Sequence, residues 1–145
     1  MSVKQPVSIQ LNLKSDSKLT LLETLCQSFW EAGKLYNRGQ FLEEVLKREA
    51  LLSTYCGEGV AIPHAASTAV KEPAFIFARC TEINWDEEES PVQFIILLAI
   101  PEVAEGEESP HIEMMSEVAT LALDEEIRAV WASARDKETI LKTFN

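Results

Sequence analysis

Apolar residues recur along this chain with two periods, and the change from one to the other lays out its elements. Val7, Ile9, Leu11 and Leu13 alternate with polar neighbours, the period of a strand with one buried face. From Lys18 to Glu31 the period lengthens. Leu22, Leu25, Cys26 and Phe29 fall at helical spacing, and Gly33 supplies a stop. A second amphipathic helix is expected from about Gln40 to Leu51, with Phe41, Leu42, Val45 and Leu46 inward and Lys47, Arg48 and Glu49 near its carboxyl end. The stretch STYCGEGVAIPHA then breaks the pattern with two glycines and a proline, which predicts a loop leading into a very short strand. Ala74 to Thr81 and Val92 to Ile100 are rich in Phe, Ile, Val and Leu and predict buried strands. INWDEEES between them reads as an exposed turn or strand end. Ser109 and Pro110 open a further helix, the first as a side-chain cap, the second with the fixed φ and missing N–H that suit a first helical position. Its apolar stripe is Ile112, Met115, Val118, Ala119 and Ala122. Asp124 and Asp136 are expected to cap two short helices that bury Ile127, Val130 and Trp131 in one case and Ile140, Leu141 and Phe144 in the other. Helices, strands and helices again specify the α/β class, a mixed β-sheet flanked by helices. No internal repeat or linker composition interrupts residues 1–145, so a single domain is expected.

Composition narrows the classes of partner. With 145 residues, 46% hydrophobic and 26% charged, the chain has the make-up of a soluble globular protein able to bury roughly two thirds of its unfolded surface. Its longest apolar run, Phe94 to Ile100, is strand length and far below the roughly 20 residues of a membrane helix. The amino terminus, MSVKQPVSIQ, has no secretory apolar stretch. A cytoplasmic location without membrane insertion is the expectation. A formal net charge of −11 opposes nucleic acid and anionic membrane surfaces and suits a protein partner with a basic patch as well as it suits solubility. Cys26, Cys56 and Cys80 contain no C-x-x-C spacing and read as reduced thiols, with Cys26 and Cys80 in apolar surroundings.

Candidate chemistry gathers around the two histidines. His64 follows Pro63 at the end of Gly59-Val60-Ala61-Ile62, where a short strand meets a loop. Such places often carry reactive groups, although a surface-loop histidine fixed by one hydrogen bond fits equally. Pro63 restricts the approach to it. His111 lies in the first turn of the helix opened by Ser109 and Pro110, where the macrodipole disfavours imidazolium and attracts anions. It is either a neutral donor to a phosphoryl oxygen or a solvated first-turn residue. Arg48 has the two-pronged geometry for phosphate or stabilises its helix end, and Glu58 either orients His64 or is merely exposed. A metal-dependent hydrolase using both histidines is the distant alternative: H-E-x-x-H, G-x-S-x-G and Walker sequences are all missing. No metal and no cofactor are expected.

Taken together, KREALLSTYCGEGVAIPHA (Lys47 to Ala65), AVKEPAFIFARCTEINW, PVQFIILLAIP and PHIEMMSEVATLALDEE resemble, in order, the active-site block, the two strands and the second-histidine helix of the mannitol/fructose class of phosphotransferase-system IIA domains. The resemblance runs from about Val7 to Phe144. It implies the EIIA-like mixed sheet, His64 as the phosphorylated histidine, His111 as the second active-site histidine and Arg48 as the arginine preceding the signature. Glu58 matches a position that is acidic in some mannitol-type members, and with Ser109 it completes the candidate phosphate-supporting set. The resemblance further implies a phosphohistidine donor on the carrier protein HPr and a cysteine acceptor on a IIB domain. A regulatory, nitrogen-type IIA paralogue is the alternative within the family. Ala65 departs from the glycine common there, and the acidic stretch Glu102 to Glu108 is a second departure.

Overall fold

The computed structural model describes residues 5–145 except 87, 89, 105 and 107–110, and of residue 111 the backbone only. The elements run β1 (Ser8–Leu13), α1 (Lys18–Glu31), α2 (Arg38–Leu51), β2 (Tyr55–Gly57), β3 (Val60–Ala61), β4 (His64–Ser67), β5 (Ala74–Asn84), β6 (Pro91–Pro101), α3 (His111–Ala122), α4 (Glu125–Ser133) and α5 (Lys137–Lys142). Short polar side chains start four of the helices by accepting backbone N–H groups that have no intrahelical partner. Ser17 accepts from Thr20, Asn37 from Gln40, Asp124 from Glu126 and Ile127, and Asp136 from Thr139. Asn37 explains why α2 begins at Arg38, two residues before the expected start at Gln40. The expected cap at Ser109 and Pro110 lies outside the described residues.

The sheet is mixed. β1 runs parallel to β5, β5 and β6 form its long antiparallel pair, and β3 and β4 both lie parallel to β6, with β2 antiparallel to β3 at the edge. Alternation along each strand sends side chains to opposite faces. One face takes Ile76, Ile95 and Leu97 against Leu22 and Phe29 of α1 and Phe41 and Val45 of α2. The other takes Phe77, Phe94, Ile96 and Leu98 against Met114 and Val118 of α3, with Trp131 and Phe144.

Three expectations are corrected by this packing. Ile112 is 80% exposed, because the buried stripe of α3 is Met114, Val118 and Ala122, rotated from the expected one, while Met115 and Ala119 are partly buried. INWDEEES is not an exposed turn throughout: β5 continues to Asn84, and Ile83 and Trp85 are buried. His64 is not on a surface loop. It opens β4 and is only 5% exposed.

Candidate functional site

His64 is placed by a strand that has been interrupted without losing its register. Val60 and Ala61 of β3 lie opposite Phe94 and Ile95, and His64 and Ser67 of β4 lie opposite Leu98 and Pro101. The offset along β6 is therefore constant across Ile62 and Pro63, and the two short strands form one line. Pro63 has no N–H to give to the ladder, yet its carbonyl accepts from Leu98 N at 3.0 Å. By register His64 shares the sheet face of Leu98, which packs in the cluster beneath α3, while α2 packs on β4.

The Nδ1 of His64 lies 2.9 Å from the Ile62 carbonyl oxygen. A carbonyl only accepts, so Nδ1 carries the proton in this contact, and in the neutral ring the lone pair resides on Nε2. The approach to His64 is a tight hairpin between β2 and β3. Gly57, Glu58 and Gly59 all have positive φ, of 93°, 55° and 78°, and the Gly59 carbonyl accepts from Gln93 N and Phe94 N of β6 at 2.9 and 3.0 Å. Left-handed backbone at Glu58, a residue with a Cβ, is uncommon and marks a position held by its surroundings. The Glu58 carboxylate faces Nη2 of Arg128 at 3.8 Å, and Nη1 of the same arginine donates to the Ala122 carbonyl at 2.7 Å. Arg128 thereby joins the hairpin to the carboxyl end of α3.

Helix α3 begins at His111; the side chain of His111 and all of Ser109 lie outside the described residues. Arg48 is in the last turn of α2, and its Nη1 donates to the Leu52 carbonyl at 2.7 Å, the contact of a cation with a helix carboxyl end. Next to it, Glu49 is buried and accepts from Lys18 Nζ at 2.9 Å, from Thr54 N at 3.3 Å and from the Thr54 hydroxyl. Lys18 also donates to the Trp85 carbonyl at 3.1 Å and lies 4.5 Å above the Trp85 ring. Lys18, Glu49 and Trp85 border an open cleft of about 800 Å³ that also includes Ser53, Asp86 and Ser90 and does not include His64. The sequence pattern assigns no site role to Glu49, Thr54, Lys18 or Arg128. Glu49 alone had left a sign, since it continues the Phe41, Val45 spacing with a carboxylate on the inward face of α2. Among the described residues, no group of three His, Cys, Asp or Glu side chains is placed to hold a metal ion.

A mixed sheet flanked by helices is the architecture of the phosphotransferase-system IIA components. The chain belongs to the family "Phosphoenolpyruvate-dependent sugar phosphotransferase system, EIIA 2", whose model matches residues 2–145. It is 36% identical over 138 residues to the PTS system 2-O-alpha-mannosyl-D-glycerate-specific EIIABC component of Escherichia coli K12, covering 93% of this chain and 21% of that protein. It is 32% identical over 140 residues to the PTS system fructose-specific EIIABC component of Bacillus subtilis 168, covering 95% of this chain and 22% of that one. The chain thus spans about a fifth of the length of these two relatives. Among solved structures, the nitrogen regulatory protein IIA-Ntr of Neisseria meningitidis superposes with a TM-score of 0.83 at 28% identity, covering 94% of this chain and 92% of that one. The mannitol IIA of Escherichia coli, solved in complex with phosphorylated mannitol IIB, has the same fold, with a TM-score of 0.79 at 19% identity, covering 99% and 96%. The chain is accordingly an EIIA-type member of that family in sequence and in fold.

Proposed function

We propose that His64 is the phosphoryl carrier of this component, taking the group from phosphorylated HPr and delivering it to a cysteine of a IIB partner. The observation that carries the reading is the hydrogen bond between Nδ1 and the Ile62 carbonyl, which leaves Nε2 as the nucleophilic nitrogen of a neutral ring. In the first transfer the Nε2 lone pair forms a bond to phosphorus. The P–N bond of the donor phosphohistidine breaks, and the donor nitrogen keeps the electron pair. Positive charge then spreads over the His64 ring, where the Ile62 carbonyl accepts a now stronger hydrogen bond from Nδ1–H. In the second transfer a IIB thiolate attacks phosphorus, the P–N bond to His64 breaks, and the lone pair returns to Nε2. Positioning and charge stabilisation supply most of the catalysis in such transfers. His111, at the amino end of α3, is assigned as a neutral donor to the phosphoryl oxygens and Arg48 as a two-pronged contact to them, with Glu58 and Ser109 supporting the loop and the helix start.

A IIB partner is supported by the mannitol IIA of the same fold, which was solved with phosphorylated IIB. The cytoplasm, where HPr works, is the proposed location; no helix among the described residues is long and apolar enough to cross a membrane. Incubation with enzyme I, HPr and phosphoenolpyruvate, followed by intact-mass analysis, should show one acid-labile, base-stable phosphoryl group. His64→Ala should take none, and full labelling of that variant would overturn the assignment. His111→Ala should still be labelled but pass the group on more slowly, by roughly 10²-fold, the cost of losing one preorganised donor. The likeness to IIA-Ntr favours a second reading, in which the same histidine signals to a regulatory target. Phosphorylation of a sugar in membranes supplemented with this protein separates the two.

A further inference from the structure

We infer that Glu49 is a positioning residue for the carrier histidine, acting through Thr54 and the backbone of Ile62; the inference rests on His64 being that carrier. Glu49 is 7% exposed, on a helix face otherwise given to Phe41 and Val45. A carboxylate there is costly unless every nearby donor is used. Of the three donors it holds, two belong to Thr54, its N–H and its hydroxyl, and the third is the Lys18 ammonium. The carboxylate therefore fixes both the main chain and the side chain of residue 54. The Thr54 carbonyl in turn accepts from Ile62 N at 3.1 Å, and the Ile62 carbonyl accepts from His64 Nδ1 at 2.9 Å.

Pro63 makes this sequence of contacts necessary. The amide that contains the Ile62 carbonyl has a proline nitrogen and so no N–H by which it could be held. Its position is set by the anchors on either side. On the far side, Leu98 N–H holds the Pro63 carbonyl and belongs to the sheet. On the near side, Ile62 N–H is held by Thr54, and Thr54 by Glu49. Release of Thr54 frees the carbonyl that selects the Nδ1–H tautomer, and the Nε2 lone pair is lost from part of the population. Outer hydrogen-bonding partners orient imidazoles at metal centres in the same way.

The experiment uses the full chain with ¹⁵N-labelled histidine. Nitrogen shifts of the neutral His64 ring report its tautomer, and rapid-quench labelling from phosphorylated HPr reports its rate. The wild type should show the Nδ1–H tautomer. Glu49→Gln, and Thr54→Val, which replaces the hydroxyl by a methyl of similar size, should show mixed tautomers, faster hydrogen exchange at Ile62 N–H, and labelling slower by roughly tenfold, the lower end of what loss of an outer partner costs. Thr54→Ser should restore tautomer and rate together. A folded Thr54→Val with the wild-type tautomer and rate overturns the inference, whatever becomes of Glu49→Gln, and so does a loss of stability in either variant without a change of tautomer. Labelling of His64→Ala would instead refute the carrier assignment while the tautomer shifts still report the positioning, so the two failures are distinguishable.

Discussion

Burial decides what individual side chains in this molecule can do. Desolvation pushes the buried thiol of Cys26 up to about 12 and that of Cys80 up to about 11, so both remain protonated and inert at neutral pH, as their apolar sequence surroundings suggested. Arg48 is the opposite case, a half-buried cation that donates to a helix-end carbonyl. Lysine can donate to the Leu52 carbonyl as well, but it cannot present two parallel N–H groups to a phosphoryl group. Arg48→Lys is therefore expected to slow transfer clearly while changing stability by only about 0 to 1 kcal/mol, the range of partly exposed charges. Rapid-quench phosphotransfer and urea unfolding of the same variant check this; an unchanged rate would restrict Arg48 to its helix-end role.

Among the elements, α5 is the shortest helix and depends most on its start. Asp136 accepts from the hydroxyl and the N–H of Thr139 at 2.7 and 2.8 Å, and the side-chain hydrogen bond is the main cause of its lowered pKa, the backbone one the next. A depressed folded-state pKa contributes stability that is fully present above the unfolded value of 3.8 and disappears as pH falls through the folded one. Wild type should exceed Asp136→Ala in melting temperature by a constant margin at neutral pH. The margin should shrink only below that unfolded value, and a gap independent of pH would show that the carboxylate does not act as a charged cap. The β2–β3 hairpin is an element of another kind: its turn is three consecutive left-handed residues met by Arg128, while Val60 and Ala61 beyond it are buried in the two clusters.

For the whole molecule, the sheet separates two apolar clusters, and the one beneath α3, α4 and α5 is built on aromatic rings. Trp131 is fully buried, with ring centroids 5.2 Å from Phe77, 5.7 Å from Phe94 and 5.9 Å from Phe144, and its Nε1 donates to the Thr143 hydroxyl at 2.9 Å. Trp131→Ala should lower stability by about 3 to 5 kcal/mol through the cavity it leaves. The Glu49 contacts lie with the helices of the opposite face, so His64 in the folded fraction should still be labelled. Denaturant unfolding gives the first quantity and mass analysis below the melting transition the second. Loss of labelling in folded protein would mean that the aromatic cluster itself sets the site.

Period and composition alone determined most of the elements, because burial of one face leaves its mark locally: Leu22 to Phe29, Phe41 to Val45 and Phe94 to Ile100 all lie where their spacing places them. The short polar caps Asp124 and Asp136 were legible for the same reason, each acting within its own first turn. The motif ending in Pro63 and His64 singled out the candidate histidine. What the sequence did not contain was the setting of that histidine. The joining of β3 and β4 into one line along β6, the Ile62 carbonyl beneath Nδ1, the Thr54 anchor and the burial of Glu49 against Lys18 follow from contacts between segments distant in the chain. Likewise, Trp85 is drawn inward although it lies within the expected exposed turn, and Arg128 meets Glu58 from a helix whose own periodicity concerns Trp131. Local patterns report which face of an element avoids water. Only the assembled sheet decides which polar groups meet on it, because those pairings are selected by strand register and by the cost of leaving a buried donor or acceptor without a partner.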